Sequence, residues 1–291
     1  MAIVDAKEML LRAGDGGYAV GAFNITNIIQ MEAVLEAAVE ANAPLIIQTS
    51  VTPAKFLGER VLAAAYRTLA ADAPVPVCLH IDHCTDVAYC KACAEAGYTN
   101  IMIDASKNDF EENIRQTREV SDFSHSLGTI SVEGELGTVG GVEDQVRVVE
   151  DEAQLCDPET AVDFVVRSGI DIFAPAIGTA HGVYKTADPK VDSDRFEKIR
   201  VAIDRKGLRV PLVVHGGTGL PESTVRRLVE LGGTKFNVST DLKHRLLDAT
   251  FDYLTAHRDE YNPGKLDMAV KASTKELIHN WIDRLGCAGK A

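Results

Sequence analysis

The sequence predicts an α/β fold, a closed (β/α)8 barrel of the TIM type, with one extra helix at the C-terminus. Eight short runs of β-branched and apolar residues alternate with eight longer amphipathic segments. No segment rich in Pro, Gly or Ser interrupts this alternation, so we expect a single domain over residues 1–291. Eight strands that are each followed by a helix favour a closed parallel barrel over an open doubly wound sheet.

The predicted elements follow from the positions of these runs. Strands are expected at residues 19–24, 44–50, 75–81, 100–104, 129–135, 171–177, 210–215 and 234–238. Helices are expected at 28–41, 56–71, 86–96, 109–126, 158–168, 192–205, 222–231 and 240–257, with the extra helix at 269–285. Long connections at 136–156 and 178–190 follow the fifth and sixth strands. They lie at the face where barrel enzymes place their active sites.

The composition is that of an acidic globular protein. Apolar residues make up 46% and charged residues 25% of the chain, and the net charge of −13 argues against a nonspecific nucleic-acid surface. No run of about 18 apolar residues occurs, so no membrane span is expected. The N-terminus lacks the order of a signal peptide, and six cysteines in 291 residues do not indicate a disulfide scaffold. We therefore expect a cytoplasmic protein.

Three of the eight histidines follow predicted strands: His83, His181 and His215 come after the third, sixth and seventh. Although far apart in the sequence, they are expected to converge at the mouth of the barrel. Three imidazoles with an open fourth position are the ligand set of a catalytic zinc ion. A single histidine would be better explained as a hydrogen-bonded side chain in a polar cleft. The three together, each beside Gly or Asp, favour a metal site.

Acidic residues accompany these histidines. Asp82 directly precedes His83, and it could serve a substrate hydroxyl as general acid or base, or it could orient a ligand histidine. The local sequence leaves both roles open. Glu133 and Glu135 alternate along the fifth strand and are expected to face the barrel interior, where a carboxylate needs a nearby cation or metal. Asp104, at the end of the fourth strand, is a further candidate.

Two other features have simpler explanations. Glu143 lies in the glycine-rich connection 136–156 and could swing over a substrate as a base, but the composition alone favours a solvated loop carboxylate. Cys90 and Cys93 share one face of a predicted helix, and no second Cys or His pair completes a structural zinc set. We interpret them as small core residues.

The turn after the seventh strand is a candidate phosphate site. In His215-Gly216-Gly217-Thr218-Gly219, glycines allow backbone amides to approach an anion at the start of the next helix. Asn237-Val238-Ser239-Thr240 brings hydroxyls and amides to the start of the following helix. Barrels often bind phosphate between the loops after strands seven and eight. Two adjacent turns at that place therefore indicate a phosphate site.

Several ordered segments resemble one known family. They are Gly21-Ala-Phe-Asn24, Leu79-His-Ile-Asp-His83, Ile101-Met-Ile-Asp-Ala-Ser106, Val132-Glu-Gly-Glu-Leu-Gly137, Gly140-Gly-Val-Glu-Asp144, Ala176-Ile-Gly-Thr-Ala-His-Gly-Val-Tyr-Lys185, His215-Gly-Gly-Thr-Gly219 and Lys235-Phe-Asn-Val-Ser-Thr-Asp241. In this combination they resemble the class II fructose-bisphosphate and tagatose-bisphosphate aldolases. The resemblance covers nearly the whole chain.

The resemblance implies a zinc-dependent aldolase. Such an enzyme reversibly cleaves a ketose phosphate, for example fructose or tagatose 1,6-bisphosphate, to dihydroxyacetone phosphate and an aldehyde. It implies zinc on the three histidines, a role for Asp82 at the C4 hydroxyl and proton exchange at the dihydroxyacetone phosphate carbon by Glu143. Asp104 and Glu135 match positions that can hold a second or displaced metal. The residues implied at the substrate, together with the glycine turn, are Asn24, Ser50, Gly182, Lys185, Gly216, Gly217, Thr218, Asn237, Ser239 and Thr240.

The resemblance also implies a monovalent cation, Na⁺ or K⁺, near the glycine loops, a homodimer or homotetramer, and a place in carbohydrate metabolism such as glycolysis. One segment, 262–271, departs from the family pattern. Relatives commonly have Arg at the position of Gly264 and another Arg at that of Lys271, where an arginine can bind the far phosphate of the substrate. Lys271 is the remaining candidate for that phosphate, but it offers a point charge rather than a fork. We therefore hypothesise that the natural substrate need not be a bisphosphate.

Two other classes of protein share some of these features. A metal-dependent sugar-phosphate epimerase would have the same zinc and phosphate sites but would not cleave a carbon–carbon bond. A non-catalytic barrel subunit would need neither a metal set nor an acid–base set. Release of triose phosphate would distinguish an aldolase from an epimerase. A metal requirement for activity would exclude a non-catalytic subunit.

Overall fold

The computed structural model of the chain is a closed barrel of eight parallel strands with helices around it, which confirms the predicted fold class. It describes residues 2–143, 146–148, 154–184, 186 and 189–291, and of residues 142, 143 and 146–148 it describes the backbone. Within this part of the chain, no helix combines the length and apolar character that a membrane span needs.

The strands, in chain order, are β1 (Val20–Asn24), β2 (Leu45–Ser50), β3 (Val77–Cys84), β4 (Asn100–Ile103), β5 (Ser131–Leu136), β6 (Gly140–Glu143), β7 (Val146–Val148), β8 (Ile172–Pro175), β9 (Ala180–His181), β10 (Leu212–Val214) and β11 (Gly233–Val238). The helices are α1 (Ala6–Gly16), α2 (Ile28–Glu40), α3 (Val51–Leu57), α4 (Glu59–Ala70), α5 (Val87–Ala96), α6 (Phe110–Leu127), α7 (Pro158–Ser168), α8 (Ser193–Arg205), α9 (Glu222–Glu230), α10 (Thr240–Ala256) and α11 (Pro263–Leu285).

The barrel closes in the order β1-β11-β10-β8-β5-β4-β3-β2, with parallel pairing throughout. Helices cover its outside and side chains fill its inside, so the strands are buried on both faces. β3, for example, is buried along its whole length. All the strand C-termini meet at one end of the barrel, and that end carries the candidate site.

Four helices differ from the prediction. The helix predicted at 56–71 is α4, which begins only at Glu59 because Gly58, with φ 90°, separates it from α3, a helix that was not predicted. The extra helix begins at Pro263 rather than at 269, and the side chain of Asn262 caps it by accepting from the amide of Gly264. Helix α1, which precedes the first strand, was not predicted.

The two long connections contain a small sheet that the sequence did not predict. β6 and β7 form an antiparallel hairpin in the connection after β5, and β9, in the connection after β8, pairs with β6 in parallel. Gly141 lies opposite His181 in this sheet, with φ 95°, and a Cβ at this position would lie 2.2 Å from the carbonyl oxygen of His181. Only glycine permits so close an approach. The small sheet thereby fixes the backbone of His181.

Candidate active site

The three predicted histidines meet at the carboxyl ends of the strands. We call His83, His181 and His215 the histidine cluster. One ring nitrogen from each lies within 4.8 Å of the others, and all three side chains are buried. The centroid of the His83 ring lies 4.6 Å from that of His181 and 4.5 Å from that of His215. His181 reaches the cluster from β9 rather than directly from the end of a barrel strand.

The hydrogen bonds of the cluster fit a metal ion. Nδ1 of His83 lies 2.9 Å from Oδ2 of Asp104, and Nε2 of His215 lies 3.1 Å from Oε1 of Glu133. The other ring nitrogens of these two histidines, His83 Nε2 and His215 Nδ1, are buried without a hydrogen-bond partner among the described residues. Metal-binding histidines typically give one nitrogen to a carboxylate and the other to the metal. The donor set therefore fits a divalent metal that accepts imidazole nitrogen, such as zinc.

His83 has an unusual backbone conformation that serves this arrangement. Its φ is 46°, and the pairing of β3 with β4 shifts between Ile81 and Cys84. In a regular strand, neighbouring side chains point to opposite faces. The break at His83 allows Asp82 and His83, which are adjacent in the sequence, both to face the mouth of the barrel. A positive φ in a residue other than glycine is uncommon and often marks a functional site.

Two further predicted carboxylates adjoin the cluster. His83, Asp104 and Glu135 form a second group that could hold a metal ion. Oε2 of Glu135 lies 2.9 Å from Nδ1 of His215 but outside hydrogen-bonding geometry, so both atoms face a shared space. Burial and the neighbouring Asp104 raise the pKa of Glu135. A cation would lower the cost of placing these groups together.

Asp82 lies beside the cluster but belongs to neither group of candidate metal ligands among the described side chains. Asn24 Nδ2 donates to its Oδ2 at 2.8 Å, and Asn237 Nδ2 donates to its Oδ1 at 3.0 Å. Burial alone would raise the pKa of Asp82, but the charges of His83 and Lys235 and a contact with His80 hold it well below its usual range. Asp82 is thus an oriented carboxylate in its ionised form, which is the form that can accept a proton.

Comparison with known proteins agrees with this geometry. The profile of the family described as fructose-bisphosphate aldolase class-II matches residues 4–290. The chain belongs to the class II fructose-bisphosphate aldolase family. It is 40% identical to the fructose-bisphosphate aldolase of Geobacillus stearothermophilus over 294 aligned residues, covering 100% of this chain and 99% of the relative. It is 37% identical to that of Staphylococcus aureus strain Mu50, covering both chains fully.

Solved structures agree with the assignment. The crystal structure of the YdjI aldolase of Escherichia coli K12 superposes with a TM-score of 0.85 at 31% identity and 99% coverage of both chains. The fructose-bisphosphate aldolase of Campylobacter jejuni has the same fold, with a TM-score of 0.84 at 23% identity, covering 100% of this chain and 97% of that one. As a class II aldolase, the chain is a carbon–carbon lyase that acts on a phosphorylated sugar.

The two predicted phosphate turns of this aldolase lie against each other. The amide of Gly217 donates to the carbonyl oxygen of Asn237 at 3.0 Å, and the hydroxyl of Thr218 accepts from the amide of Asp241 at 3.3 Å. The hydroxyl of Ser239 is buried without a hydrogen-bond partner among the described residues. It lies immediately before Thr240, the first residue of α10. A buried hydroxyl at a helix start is a suitable donor for a phosphate oxygen.

The other predicted substrate residues occupy varied places. Ser50 is buried and directly precedes α3. Gly182, with φ 92°, follows His181, and Gly216, with φ 66°, follows His215. The side-chain amides of Asn24 and Asn237 both donate to Asp82 in this structure. A substrate that binds these amides would therefore lie beside Asp82.

Three predicted residues lack a described side chain or are already ion-paired. Glu143 ends β6, but its side chain lies outside the described part of the chain, as does the whole of Lys185. Lys271, on α11, does not present an uncompensated charge. Its Nζ lies 2.9 Å from Oε2 of Glu32 and 2.6 Å from Oε1 of Glu36, both on α2. Two carboxylates therefore compete with any phosphate for this ammonium.

Sequence reasoning placed Glu133 in the barrel interior but missed two other buried polar residues at the same depth, Lys235 and His80. Lys235 and His80 are fully buried two residues before Asn237 and Asp82 on the same strands, and Glu133 is placed likewise relative to Glu135. Lys235 Nζ lies 2.9 Å from Oε2 of Glu133. Burial raises the pKa of Glu133, but this ammonium, together with His215 and His80, lowers it to about 2. The cation expected beside Glu133 is therefore Lys235. The sequence signal that could have found Lys235 and His80 is the alternation of polar residues along their strands.

Tyr184 was also missed. Its hydroxyl donates to the carbonyl oxygen of Gly216 at 2.9 Å and accepts from the amide of Ala180 at 3.0 Å. The tyrosine thereby ties the connection that carries His181 to the glycine turn that follows His215. These two hydrogen bonds hold together two of the three segments that carry the histidines.

Proposed function

We propose that this class II aldolase is zinc-dependent and cleaves a ketose 1-phosphate, or a ketose bisphosphate, to dihydroxyacetone phosphate and an aldehyde. The observation that supports it most is the pairing of two features at one place. His83 and His215 direct unpartnered buried nitrogens to a common point, and Asp82 lies beside them as an ionised carboxylate. Aldol cleavage needs a Lewis acid at the carbonyl and a base at the hydroxyl, and a metal held by imidazoles next to an oriented carboxylate would supply both.

The chain's residues divide the reaction between them. When bound by the histidine cluster, zinc supplies Lewis-acid polarisation of the ketose carbonyl. Asp82 accepts the proton of the C4 hydroxyl, and the C4–O bond becomes a carbonyl as the C3–C4 bond breaks. The electron pair of that bond stays on C3, and Glu143 is proposed to return a proton to this carbon. Asn24 and Asn237 keep the carboxylate of Asp82 in place for the first transfer.

The phosphate of the dihydroxyacetone half is proposed to bind at the two turns after β10 and β11. The hydroxyls of Thr218 and Ser239, the backbone of Gly182 and the start of α10 are proposed to surround this phosphate. Lys185 is proposed to add its charge to the same phosphate. The helix start favours an anion because its backbone amides and dipole point outward.

One observation favours a substrate without a second phosphate. Lys271, the predicted partner of that phosphate, is held by Glu32 and Glu36. We propose that Lys271 does not select for a bisphosphate. The test is kcat/KM for fructose and tagatose bisphosphates against ketose 1-phosphates, with the Lys271→Ala variant alongside the wild type. A strong wild-type preference for a bisphosphate that Lys271→Ala abolishes would contradict this part of the proposal.

The reaction itself is tested by coupling the release of dihydroxyacetone phosphate to its reduction by NADH with glycerol-3-phosphate dehydrogenase. We expect activity that is lost to a chelator and recovered with zinc. An isomerised sugar phosphate without triose phosphate would indicate an epimerase instead. The monovalent cation, the displaced-metal role of Asp104 and Glu135, the homo-oligomer, the cytoplasmic location and a place in glycolysis stay predictions.

A further inference from the structure

The barrel interior contains an ion pair beneath the histidine cluster to which the proposed reaction gives no role. Lys235 of β11 and Glu133 of β5 are both fully buried. Nζ of Lys235 lies 2.9 Å from Oε2 and 3.2 Å from Oε1 of Glu133, so the ammonium contacts both carboxylate oxygens. Barrel interiors are usually filled by branched apolar side chains, and burying a charge pair costs desolvation energy that such residues avoid. Stability alone does not explain this pair.

The pair is connected to the candidate metal site through one hydrogen bond. Oε1 of Glu133 lies 3.1 Å from Nε2 of His215, on the side of the ring opposite the nitrogen that faces the cluster. Lys235 also approaches Nε2 of His80 at 3.5 Å, and this nitrogen lies 3.6 Å from Oδ1 of Asp82. The buried pair therefore underlies both a metal ligand and the proposed base.

The contact between Glu133 and His215 has a defined consequence for the ring. A carboxylate that accepts a hydrogen bond from Nε2–H leaves Nδ1 as the nitrogen with the free lone pair. His215 would then bind a metal through Nδ1, whereas His83, held at Nδ1 by Asp104, would bind through Nε2. If the carboxylate of Glu133 rotated away, Nε2 of His215 would lose the contact that favours its protonation, and the carboxylate of Glu135, 2.9 Å from Nδ1, would compete for the ring proton.

We propose that Lys235 is a positioning residue for the metal centre, because it clamps the carboxylate of Glu133 that orients His215. The inference rests on the proposed metal at the histidine cluster. Lys235 does not contact the metal position or a substrate group. It acts by restricting Glu133 to the orientation in which Oε2 lies against the ammonium of Lys235 while Oε1 lies within reach of both that ammonium and His215.

The test compares Lys235→Met with a matched control, Lys7→Met. Lys7 forms a lysine–carboxylate pair with Asp171 at 2.9 Å, a pair that does not involve the histidine cluster. Metal-free protein is loaded with cobalt(II), whose visible absorption reports the geometry of its ligands, and zinc affinity is measured by competition with a chelator. For Lys235→Met we expect an altered cobalt spectrum and a zinc affinity lower by about 10–100-fold, the usual effect of losing support for a metal ligand. Lys7→Met should change neither.

Circular dichroism and thermal unfolding establish whether each variant is folded. If Lys235→Met does not fold, the double variant Glu133→Gln/Lys235→Met replaces it, since that variant buries no unpaired charge. It also lacks the ammonium, so the cobalt spectrum should again be altered. A folded variant without the ammonium whose cobalt spectrum and zinc affinity equal those of the wild type overturns the inference. Failure of the wild type itself to bind cobalt or zinc would contradict the proposed function instead.

Discussion

Replacing Asp82 by Ala separates the two roles that its position beside His83 allows. As the base for the C4 hydroxyl, Asp82 would contribute to the rate and little to metal binding. As support for a metal ligand, it would contribute mainly to zinc affinity. The structure favours the first role, because the carboxylate contacts amides of Asn24 and Asn237 while Asp104 supports His83.

The size of the effect follows from this arrangement. A positioned general acid or base contributes about 10²–10⁴-fold to a rate, so we expect kcat of Asp82→Ala to fall by that factor, or about 3–5 kcal/mol in the barrier. Zinc affinity should fall by less than about tenfold, because neither a ligand nor a carboxylate bonded to a ligand is lost. Asp104→Ala is the matched control and should show the reverse pattern, with zinc affinity lower by about 10–100-fold.

Two assays give the comparison. The coupled triose-phosphate assay at saturating zinc gives kcat, and competition with a chelator gives zinc affinity. Circular dichroism checks that the amides left without a partner in Asp82→Ala have not unfolded the barrel. Equal losses of rate and of zinc affinity in Asp82→Ala would refute the assignment and place Asp82 in the metal-binding set.

Three further predictions concern stability and protons. Gly216→Ala should lower the free energy of unfolding in urea by at least about 1 kcal/mol more than Gly207→Ala does. Both glycines have positive φ, but only at Gly216 would a Cβ meet a backbone oxygen, at 2.3 Å. Equal losses in the two variants would contradict this. A hydrogen bond from Lys275 lowers the pKa of Glu40 in the folded protein. The stabilisation that ionised Glu40 gives is therefore fully present above the pKa that Glu40 has in the unfolded chain, and it is lost as pH falls. Acid titration of stability should show Glu40→Gln losing about 0.2–1 kcal/mol less than the wild type between about pH 5 and 3. Burial lowers the pKa of His83, but the neighbouring carboxylates raise it well above its usual value. Zinc binding to metal-free protein at pH 7 should therefore release protons. Calorimetry in buffers of different protonation enthalpy would detect this release.

The barrel strands could be predicted because short runs rich in β-branched and apolar residues alternate with longer amphipathic segments along the chain. The small sheet could not, because β9 has two residues and β6 begins with two glycines, too little for a periodic pattern. Helix α1 lies outside the repeating strand–helix unit. The break at Gly58 depends on a backbone conformation that an amphipathic pattern does not report.

The site residues at the barrel mouth could be predicted because each is a chemically distinctive side chain at a strand end. The buried residues beneath them could not be paired from the sequence. Lys235 and Glu133 are 102 residues apart, and only the closed barrel brings β11 and β5 within reach of one another. The setting of Lys271 likewise depends on α2 packing against α11, which the sequence does not show.

The most direct test of the central claim is the metal content of the purified protein, measured together with its aldolase activity. We predict about one catalytic zinc per chain, bound by the histidine cluster, as expected for three imidazoles with an open position. Chelation should remove both zinc and activity, added zinc should restore both, and His181→Ala should have neither. Full activity in metal-free protein, or wild-type zinc content and activity in His181→Ala, would contradict the account.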